Sequence, residues 1–175
     1  MRYNKLLLPT LLFLVVIFLD QFTKIWAVSN LSDKSIQLLG DFLRFTLVYN
    51  KGGAMGTNFG SPTVYLILAL AILPLLAYYI YQYRNYYYFS IPLTLIASGA
   101  VGNLADRIRL GQVVDFIDVD FFDINLFGFS LERWWTFNIA DAAISCAITY
   151  LLLLIIFSDK QYDPKNQIDH QTSSD

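Results

Sequence analysis

The sequence predicts an all-α membrane protein, built of four transmembrane helices with a small β element at the membrane surface. Composition gives the first indication, because 56% of the 175 residues are hydrophobic and only 15% are charged, whereas soluble domains carry about 25% charged residues. The second indication is four mostly apolar runs, each close to the roughly 20 residues that cross a bilayer. We expect one membrane domain over residues 1–158 and a polar, disordered tail over 159–175.

The apolar runs define the predicted helices in order: Leu6–Val28, Pro62–Tyr83, Phe89–Ile108 and Phe137–Phe157. Pro74 and Pro92 fall inside two of them, which membrane helices tolerate because neighbouring groups satisfy the freed backbone atoms. The first run also fits a cleaved signal peptide. Asp20 and Lys24 interrupt that pattern, so we favour a helix that continues through them to Trp26.

A short sheet is predicted between the helices. Asp41–Asn50 alternates apolar and polar residues, a period that indicates a half-buried strand, and Gly52 with Gly53 then supplies a turn. The segment Val113–Phe129 is rich in β-forming and acidic residues and is the candidate to pair with that strand. Asp118, within it, is interpreted as a solvated loop residue.

Four spans of alternating direction bring the polar residues to one membrane face. The C-terminal ends of the first and third spans lie on the same side as the N-terminal ends of the second and fourth. An ionisable group inside a membrane is costly and marks a functional site by default. Although any one of these residues alone reads as a helix cap or an ion pair, their gathering at one face favours a functional site. The gathered residues are Asp20, Lys24, Asn50, Asn103, Asp106, Arg107, Asp115, Asn138 and Asp141. Gly99 lies on the same helix face as Asn103, Asp106 and Arg107.

The residue inventory excludes several kinds of chemistry. The only histidine, His170, lies in the polar tail, which excludes a Ser-His-Asp or Cys-His site. The only cysteine is Cys146, so there is no disulfide framework and no thiolate metal site. The HExxH and P-loop motifs are absent from the sequence. We therefore expect no metal and no cofactor, and the net charge of −2 gives no indication of a nucleic-acid partner.

After these exclusions, acid–base catalysis by aspartate side chains is the chemistry that the residue inventory still supports. Two aspartates held close together share a proton, so that one activates water while the other protonates a leaving amine. Asp20 and Asp106 each have a cation within one helical turn, and both are predicted to position other groups; the cations are Lys24 and Arg107 respectively. Asp115 and Asp141 lack such a neighbour and form the natural pair.

Two other functional classes remain open at this point. A small proton-coupled transporter component also places charges in the membrane, but it would distribute polar groups through the membrane depth. An assembly protein would need a groove for a partner helix and no paired acids. The concentration of polar groups at one face favours an enzyme over both.

Five short motifs occur in order along the chain: DQFTK (Asp20–Lys24), NKGGAMG (Asn50–Gly56), GNLADR (Gly102–Arg107), VVDFID (Val113–Asp118) and FNIAD (Phe137–Asp141). With these motifs the chain resembles the bacterial lipoprotein signal peptidases, the type II aspartic intramembrane class, over nearly its whole length. The resemblance implies a catalytic dyad of Asp115 and Asp141. It also implies a supporting set of site residues: Asp20, Lys24, Asn50, Gly99, Asn103, Asp106, Arg107 and Asn138.

The resemblance further implies the reaction and its location. The reaction would be hydrolysis of the bond before a diacylglyceryl-modified cysteine, so the expected partners are prolipoprotein signal peptides and membrane lipids. The chain would cross the bacterial cytoplasmic (inner) membrane several times, with the tail in the cytoplasm and the β element and active site near the extracytoplasmic face. Lysine and arginine positions do not fix this orientation through the positive-inside rule. Met55 stands where the motif often carries an aromatic residue, and residues 119–136 are interpreted as a lid or a membrane-surface foot.

Overall fold

The computed structural model describes residues 5–52, 62–120, 124–126, 129–131 and 136–158. Within them lie helices α1 (Leu7–Asn30), α2 (Pro62–Gln82), α3 (Tyr87–Leu110) and α4 (Ile139–Ser158). All four are long and apolar enough to cross a membrane. The predicted spans are confirmed, and no end differs from its prediction by more than two residues. The predicted tail and Gly53 of the predicted turn lie outside the described residues.

Helix α3 is the centre of the helical layer, because it packs against α1, α2 and α4. Half of its membrane-spanning window is buried, compared with 6% for α2, so α2 presents most of its apolar surface outwards. Gly111 ends α3 with a φ of 71°, a left-handed conformation that favours glycine. Its N–H donates to the carbonyl oxygen of Arg107 at 3.0 Å. The chain then turns directly into a strand at Val113.

The strands form two small sheets. The first has the antiparallel order β1 (Ile36–Leu39), β2 (Leu43–Asn50), β3 (Val113–Val119). The second pairs β4 (Ile124–Leu126) with β5 (Phe129–Leu131). The predicted strand is therefore confirmed over Leu43–Asn50, and its predicted partner is confirmed at Val113–Val119.

An aromatic cluster attaches the first sheet to the end of α1. Trp26 contacts the rings of Phe45 and Phe116 edge-on, at centroid distances of 5.5 and 6.5 Å. Ala27 and Leu31, on the same end of α1, are buried with Phe116. Edge-to-face pairs of this kind add about 0.5–1.5 kcal/mol beyond the area they bury. The sheet is thus fixed over the polar end of the helices.

The interpretation of Asp118 as a solvated loop residue is wrong. Asp118 is 6% exposed and lies on β3 directly opposite Arg44 of β2. Its carboxylate is 3.5 Å from the Arg44 Nε and accepts a hydrogen bond from the Thr46 hydroxyl at 3.3 Å. The register of the two strands creates this pair, and such register is not visible in the acidic sequence alone.

Candidate active site

The first turn of α4 is capped by side chains that also belong to the candidate site. The Asn138 Oδ1 accepts the N–H of Asp141 at 2.9 Å, and the Asp141 Oδ2 accepts the N–H of Asn138 at 3.4 Å. This reciprocal pattern is a capping box with aspartate in the position of the usual glutamate. The N–H of Ala140 donates to the Asp20 Oδ1 at 3.0 Å. The start of α4 therefore has a fixed position relative to α1.

Strand β3 brings Asp115 to this helix start. Ile117 and Phe137 exchange backbone hydrogen bonds at 2.8 and 3.0 Å, so the residue after Phe137 lies beside β3. The Asn138 Nδ2 donates to the Asp115 Oδ1 at 2.7 Å, and the Asn50 Nδ2, from the end of β2, donates to the Asp115 Oδ2 at 3.0 Å. Both oxygens of Asp115 are thus held by neutral amides.

The carboxylate of Asp141 is held in a similar way. The Asn103 Nδ2, on α3, donates to the Asp141 Oδ1 at 2.8 Å. Asn138 therefore binds both candidate catalytic carboxylates, Asp115 through its side chain and Asp141 through its backbone N–H. The structure brings the two acids that the sequence singles out onto one shared residue.

Asp115 lies outside the membrane-spanning segments and has a strongly shifted pKa. Burial first, and then the nearby charge of Asp141, raise its pKa from 3.8 to about 7. The amides of Asn50 and Asn138 and the charge of Lys24 oppose this rise only in part. A carboxyl group with this pKa still holds its proton over part of the neutral range, as general acid catalysis requires.

A second pair of aspartates lies next to the first. The Lys24 Nζ is 2.9 Å from the Asp20 Oδ2 and 3.0 Å from the Asp106 Oδ2. All three residues are at most 2% exposed. The Asp106 Oδ2 also accepts the N–H of Val114 at 3.1 Å, which fixes the start of β3. Asp20 and Asp106 therefore share one cation, in an ion-paired group that connects α1, α3, β3 and α4.

Arg107 is next to Asp106 in sequence, but the ion-pair partner of Asp106 in the described part of the chain is Lys24, at 3.0 Å. The Arg107 guanidinium turns towards the candidate site, where its Nη2 donates to the carbonyl oxygen of Gly52 at 2.9 Å. It also lies over the ring of Tyr65 on α2, 5.5 Å from the centroid. Adjacent residues on a helix point about 100° apart, so neighbours in sequence need not be partners in space.

Two glycines of α3 allow this close packing. A Cβ atom at Gly99 would lie 2.5 Å from the carbonyl oxygen of Ala140, and one at Gly102 would lie 2.5 Å from the Asp20 Oδ2. Both distances are far below ordinary contact. The close approach of α1 and α4 to α3 therefore depends on the absence of a side chain at these two positions.

A cleft of about 170 Å³ opens onto Asp141. Its polar end contains Asn50, Asn103 and Arg107, and its apolar walls come from three helices: Tyr65 and Ala69 of α2, Ala100 of α3 and Ile144 of α4. A larger cleft of about 400 Å³ lies between the Tyr87 end of α3 and α4 and contains no carboxylate or basic side chain. We take the smaller cleft as the candidate active site, because it is lined by Asp141 together with Asn50 and Asn103, the amides that hold the two candidate catalytic carboxylates.

Comparison with known proteins identifies the family. The sequence profile of the family described as Signal peptidase (SPase) II matches residues 12–157. The chain belongs to this family. A lipoprotein signal peptidase of Pelodictyon phaeoclathratiforme is 40% identical over 152 residues, which cover 85% of this chain and 88% of the relative. One from Chlorobium phaeobacteroides is 37% identical over 158 residues, covering 88% and 94%.

The fold of a solved bacterial membrane enzyme agrees with that of this signal peptidase. The two superpose with a TM-score of 0.75 at 28% sequence identity, covering 89% of this chain and 92% of the other. The predicted fold class is confirmed. The prediction of an aspartic peptidase is confirmed as well, because the matched family is a peptidase family. The family decides against the transporter alternative.

Sequence reasoning missed two residues at or next to the candidate site. The Gln21 Nε2 lies 3.1–3.2 Å from acceptors on Asp20, Gly102 and Asp106, and it donates to at most two of them at once. Its place inside the DQFTK motif is the signal that could have found it. Tyr65 lies in an apolar run without polar neighbours, so no comparable signal was available.

Proposed function

We propose that this signal peptidase cleaves prolipoproteins at the bond before a diacylglyceryl-modified cysteine, with Asp115 and Asp141 as the catalytic pair. The observation that carries the proposal is the position of Asn138, which binds both carboxylates at the start of α4. Two carboxylates held this closely in a buried site favour a shared proton over two negative charges. The pKa of about 7 for Asp115 supports Asp115 as the member that holds that proton.

In this mechanism one proton circulates within the pair. Ionised Asp141 takes a proton from the attacking water, while protonated Asp115 donates its proton to the carbonyl oxygen, and a neutral gem-diol forms. The proton on Asp141 then passes to the amide nitrogen, and the C–N bond breaks. One diol hydroxyl returns its proton to Asp115, which leaves an acid, a free amine and the starting protonation state. General acid and base steps of this kind each contribute about 10²–10⁴-fold to a rate.

The surrounding groups are proposed to hold the pair and the peptide. Asn50, Asn103 and Asn138 orient the carboxylate oxygens through their amides. Arg107 binds the carbonyl of Gly52, next to the Asn50 donor, and so stabilises that side of the cleft. The remaining four residues of the supporting set, Asp20, Lys24, Asp106 and Gly99, set the relative positions of α1, α3 and α4.

The lipid part of the substrate is proposed to lie against the membrane side of the cleft. Tyr65, Ala69 and Ile144 form apolar walls below the polar end, and α2 is only 6% buried over its span. Diacylglyceryl chains in the bilayer can therefore reach this wall, and their binding energy would position the peptide. We propose that the chain lies in the bacterial cytoplasmic membrane, with the pair near its extracytoplasmic face.

The test is cleavage of a diacylglyceryl-modified prolipoprotein by the purified protein in detergent, beside the unmodified precursor. Asp115→Asn and Asp141→Asn are each expected to reduce kcat by about 10²–10⁴-fold. Asp118→Asn is the matched control, because it makes the same change on the same buried strand outside the pair and is expected to retain activity. Normal cleavage by either pair variant would overturn the assignment of the dyad, and equal cleavage of the unmodified precursor would overturn the lipid requirement.

The proposal extends to the domain boundaries of the chain. We assign peptidase activity to residues 1–158 and none to the polar tail over 159–175. Removing the tail is expected to leave kcat and KM within about twofold of the full chain, because surface changes remote from a site have small effects. A larger loss would place the tail in the functional unit.

A further inference from the structure

Lys24 makes one contact that ion pairing does not require. Lys24 is 2% exposed, and its ammonium group forms ion pairs with Asp20 and Asp106. The same Nζ donates a third hydrogen bond, at 2.9 Å, to the Oδ1 of Asn103. An ammonium group has three protons, so these three acceptors use its full capacity. One of the three acceptors belongs to the residue that donates to Asp141.

The surroundings of the Asn103 amide allow only one orientation. Its Oδ1 accepts from the Lys24 Nζ at 2.9 Å and from the Asn138 Nδ2 at 3.1 Å, while its Nδ2 donates to the Asp141 Oδ1 at 2.8 Å. Rotating the amide by 180° would place its NH₂ group against two donors and its oxygen against a carboxylate. All three contacts would become repulsive or unpaired, which is costly in a buried site.

We propose that Lys24 is a positioning residue for the catalytic pair, which holds the Asn103 amide with its N–H towards Asp141. A hydrogen bond to a carboxylate favours its ionised form, so the oriented amide keeps Asp141 ready to accept a proton from water. The orientation of the amide stands on the contacts above. Its effect on catalysis rests on the proposed function of Asp115 and Asp141.

Lys24 also acts on Asp141 through its charge, and the test has to separate the two effects. The charged groups that face Asp141 are Asp20 and Lys24 from α1, Arg107 from α3 and Asp115 from β3. Removing Lys24 alone would leave Asp20 and Asp106 without a cation and could prevent folding. The test variant is therefore Lys24→Met combined with Asp106→Asn. It removes one positive and one negative charge, so the net charge of the cluster is unchanged.

The first measurement is the pH profile of kcat and KM for this variant. We expect kcat to fall about 10- to 100-fold, the order expected for one hydrogen bond to a charged group, with KM within about twofold. The acidic limb of the kcat profile is expected to move to higher pH. Lys24→Gln with Asp106→Asn should recover part of kcat, because glutamine restores a donor to the Asn103 Oδ1 without a charge. Equal loss in the Met and Gln variants would overturn the proposal.

The same changes are then made in an Asn103→Ala background. If Lys24 acts through Asn103, the Lys24 and Asp106 changes should lower kcat by less than about a further twofold in this background. The reason is that contributions of coupled residues are not additive. An additional loss as large as in the parent would overturn the proposal, since a field effect or a general packing effect of Lys24 would persist without the amide.

NMR spectroscopy tests whether Lys24 orients the Asn103 amide, even in variants without detectable activity. In protein labelled with ¹⁵N-asparagine, the Asn103 side-chain signal is assigned by its absence from Asn103→Ala. In the parent this signal is expected to shift as the pair titrates, and in Lys24→Met with Asp106→Asn the shift is expected to disappear. An unchanged titration would overturn the proposal. An inactive parent with the expected shift would instead refute the proposed function and leave the orienting role of Lys24 intact.

Discussion

Two pairs of aspartates lie at the same end of the helices, and they differ in what joins them. Asp20 and Asp106 share the ammonium of Lys24, at 2.9 and 3.0 Å. Asp115 and Asp141 have only amide groups as their hydrogen-bond donors among the contacts described here. A cation compensates two buried carboxylates, whereas neutral amides do so incompletely. The first pair is therefore suited to hold structure and the second to exchange a proton.

The pairs are separate but mechanically connected through α3. Asn103 and Asp106 lie three residues apart on one helix face. Asn103 contacts the second pair, and Asp106 contacts the first. Lys24 binds both of these α3 residues. The comparison teaches that a buried, ion-paired group can hold the position of a second pair of acids, because both contact the same face of one helix.

Removing the cation of the first pair is expected to have the largest effect on stability. Lys24→Met leaves two buried carboxylates without their partner, and breaking such a pair costs about 3–5 kcal/mol. Thermal unfolding in detergent measures the loss. Arg109→Met is the matched control, because it removes an exposed cation at the end of α3 that donates to Gln21, and exposed pairs contribute at most about 1 kcal/mol. Equal losses would show that Lys24 has no special structural role.

The two glycines of α3 allow each pair to be disturbed separately. Gly102→Ala places a Cβ 2.5 Å from the carboxylate of Asp20 in the first pair, and Gly99→Ala places one 2.5 Å from the backbone before Asp141 in the second. Overpacking costs about 1–3 kcal/mol, so both should lower the unfolding temperature. Gly99→Ala should also lower kcat in the remaining folded protein.

Ile108→Ala serves as the control for these glycine variants, because Ile108 is on the same helix and 65% exposed. It is expected to leave both stability and kcat nearly unchanged. Stability of Gly99→Ala equal to that of the parent would contradict the close approach of α3 and α4.

The pH dependence of stability is expected to show the smallest change per step, because one titrating proton contributes at most about 1.4 kcal/mol per pH unit. Folded Asp115 keeps its proton up to about pH 7, whereas the unfolded group loses it near 3.8. The folded state therefore binds more protons within this window, and the free energy of unfolding falls as pH rises through it. In Asp115→Asn, the decrease in Tm across this pH window should be smaller than in the parent by several °C, since 1 kcal/mol corresponds to about 2–4 °C in a chain of this size. An unchanged slope in Asp115→Asn would contradict the raised pKa.

Much of the fold could be predicted because its signals are local. Each apolar run is long enough to define a span, and alternation defines Leu43–Asn50 as a strand. The convergence of polar residues at one end follows from the alternating direction of the spans alone. The i,i+4 spacing of Asp20 and Lys24 also predicted a pair that the structure contains at 2.9 Å.

The partners across elements could not be predicted in the same way. Lys24 of α1 pairs with Asp106 of α3, although Arg107 is next in sequence. Asp118 is buried because the strand register places Arg44 opposite it. Asn138 contacts both acids because the bridge between Ile117 and Phe137 holds it against β3. In each case the choice depends on rotation of a helix or register of a strand, which sequence spacing leaves open.

The central claim, that the pair of Asp115 and Asp141 holds a proton that titrates near neutral pH, is most directly tested by infrared titration of carboxyl groups. The parent should show a protonated carboxyl band that disappears near pH 7, in line with the pKa of Asp115. This band should be absent from Asp115→Asn, and in Asp141→Asn it should titrate at lower pH because the like charge is gone. A band near pH 7 that survives in Asp115→Asn, or no titrating carboxyl in the neutral range, would contradict the account.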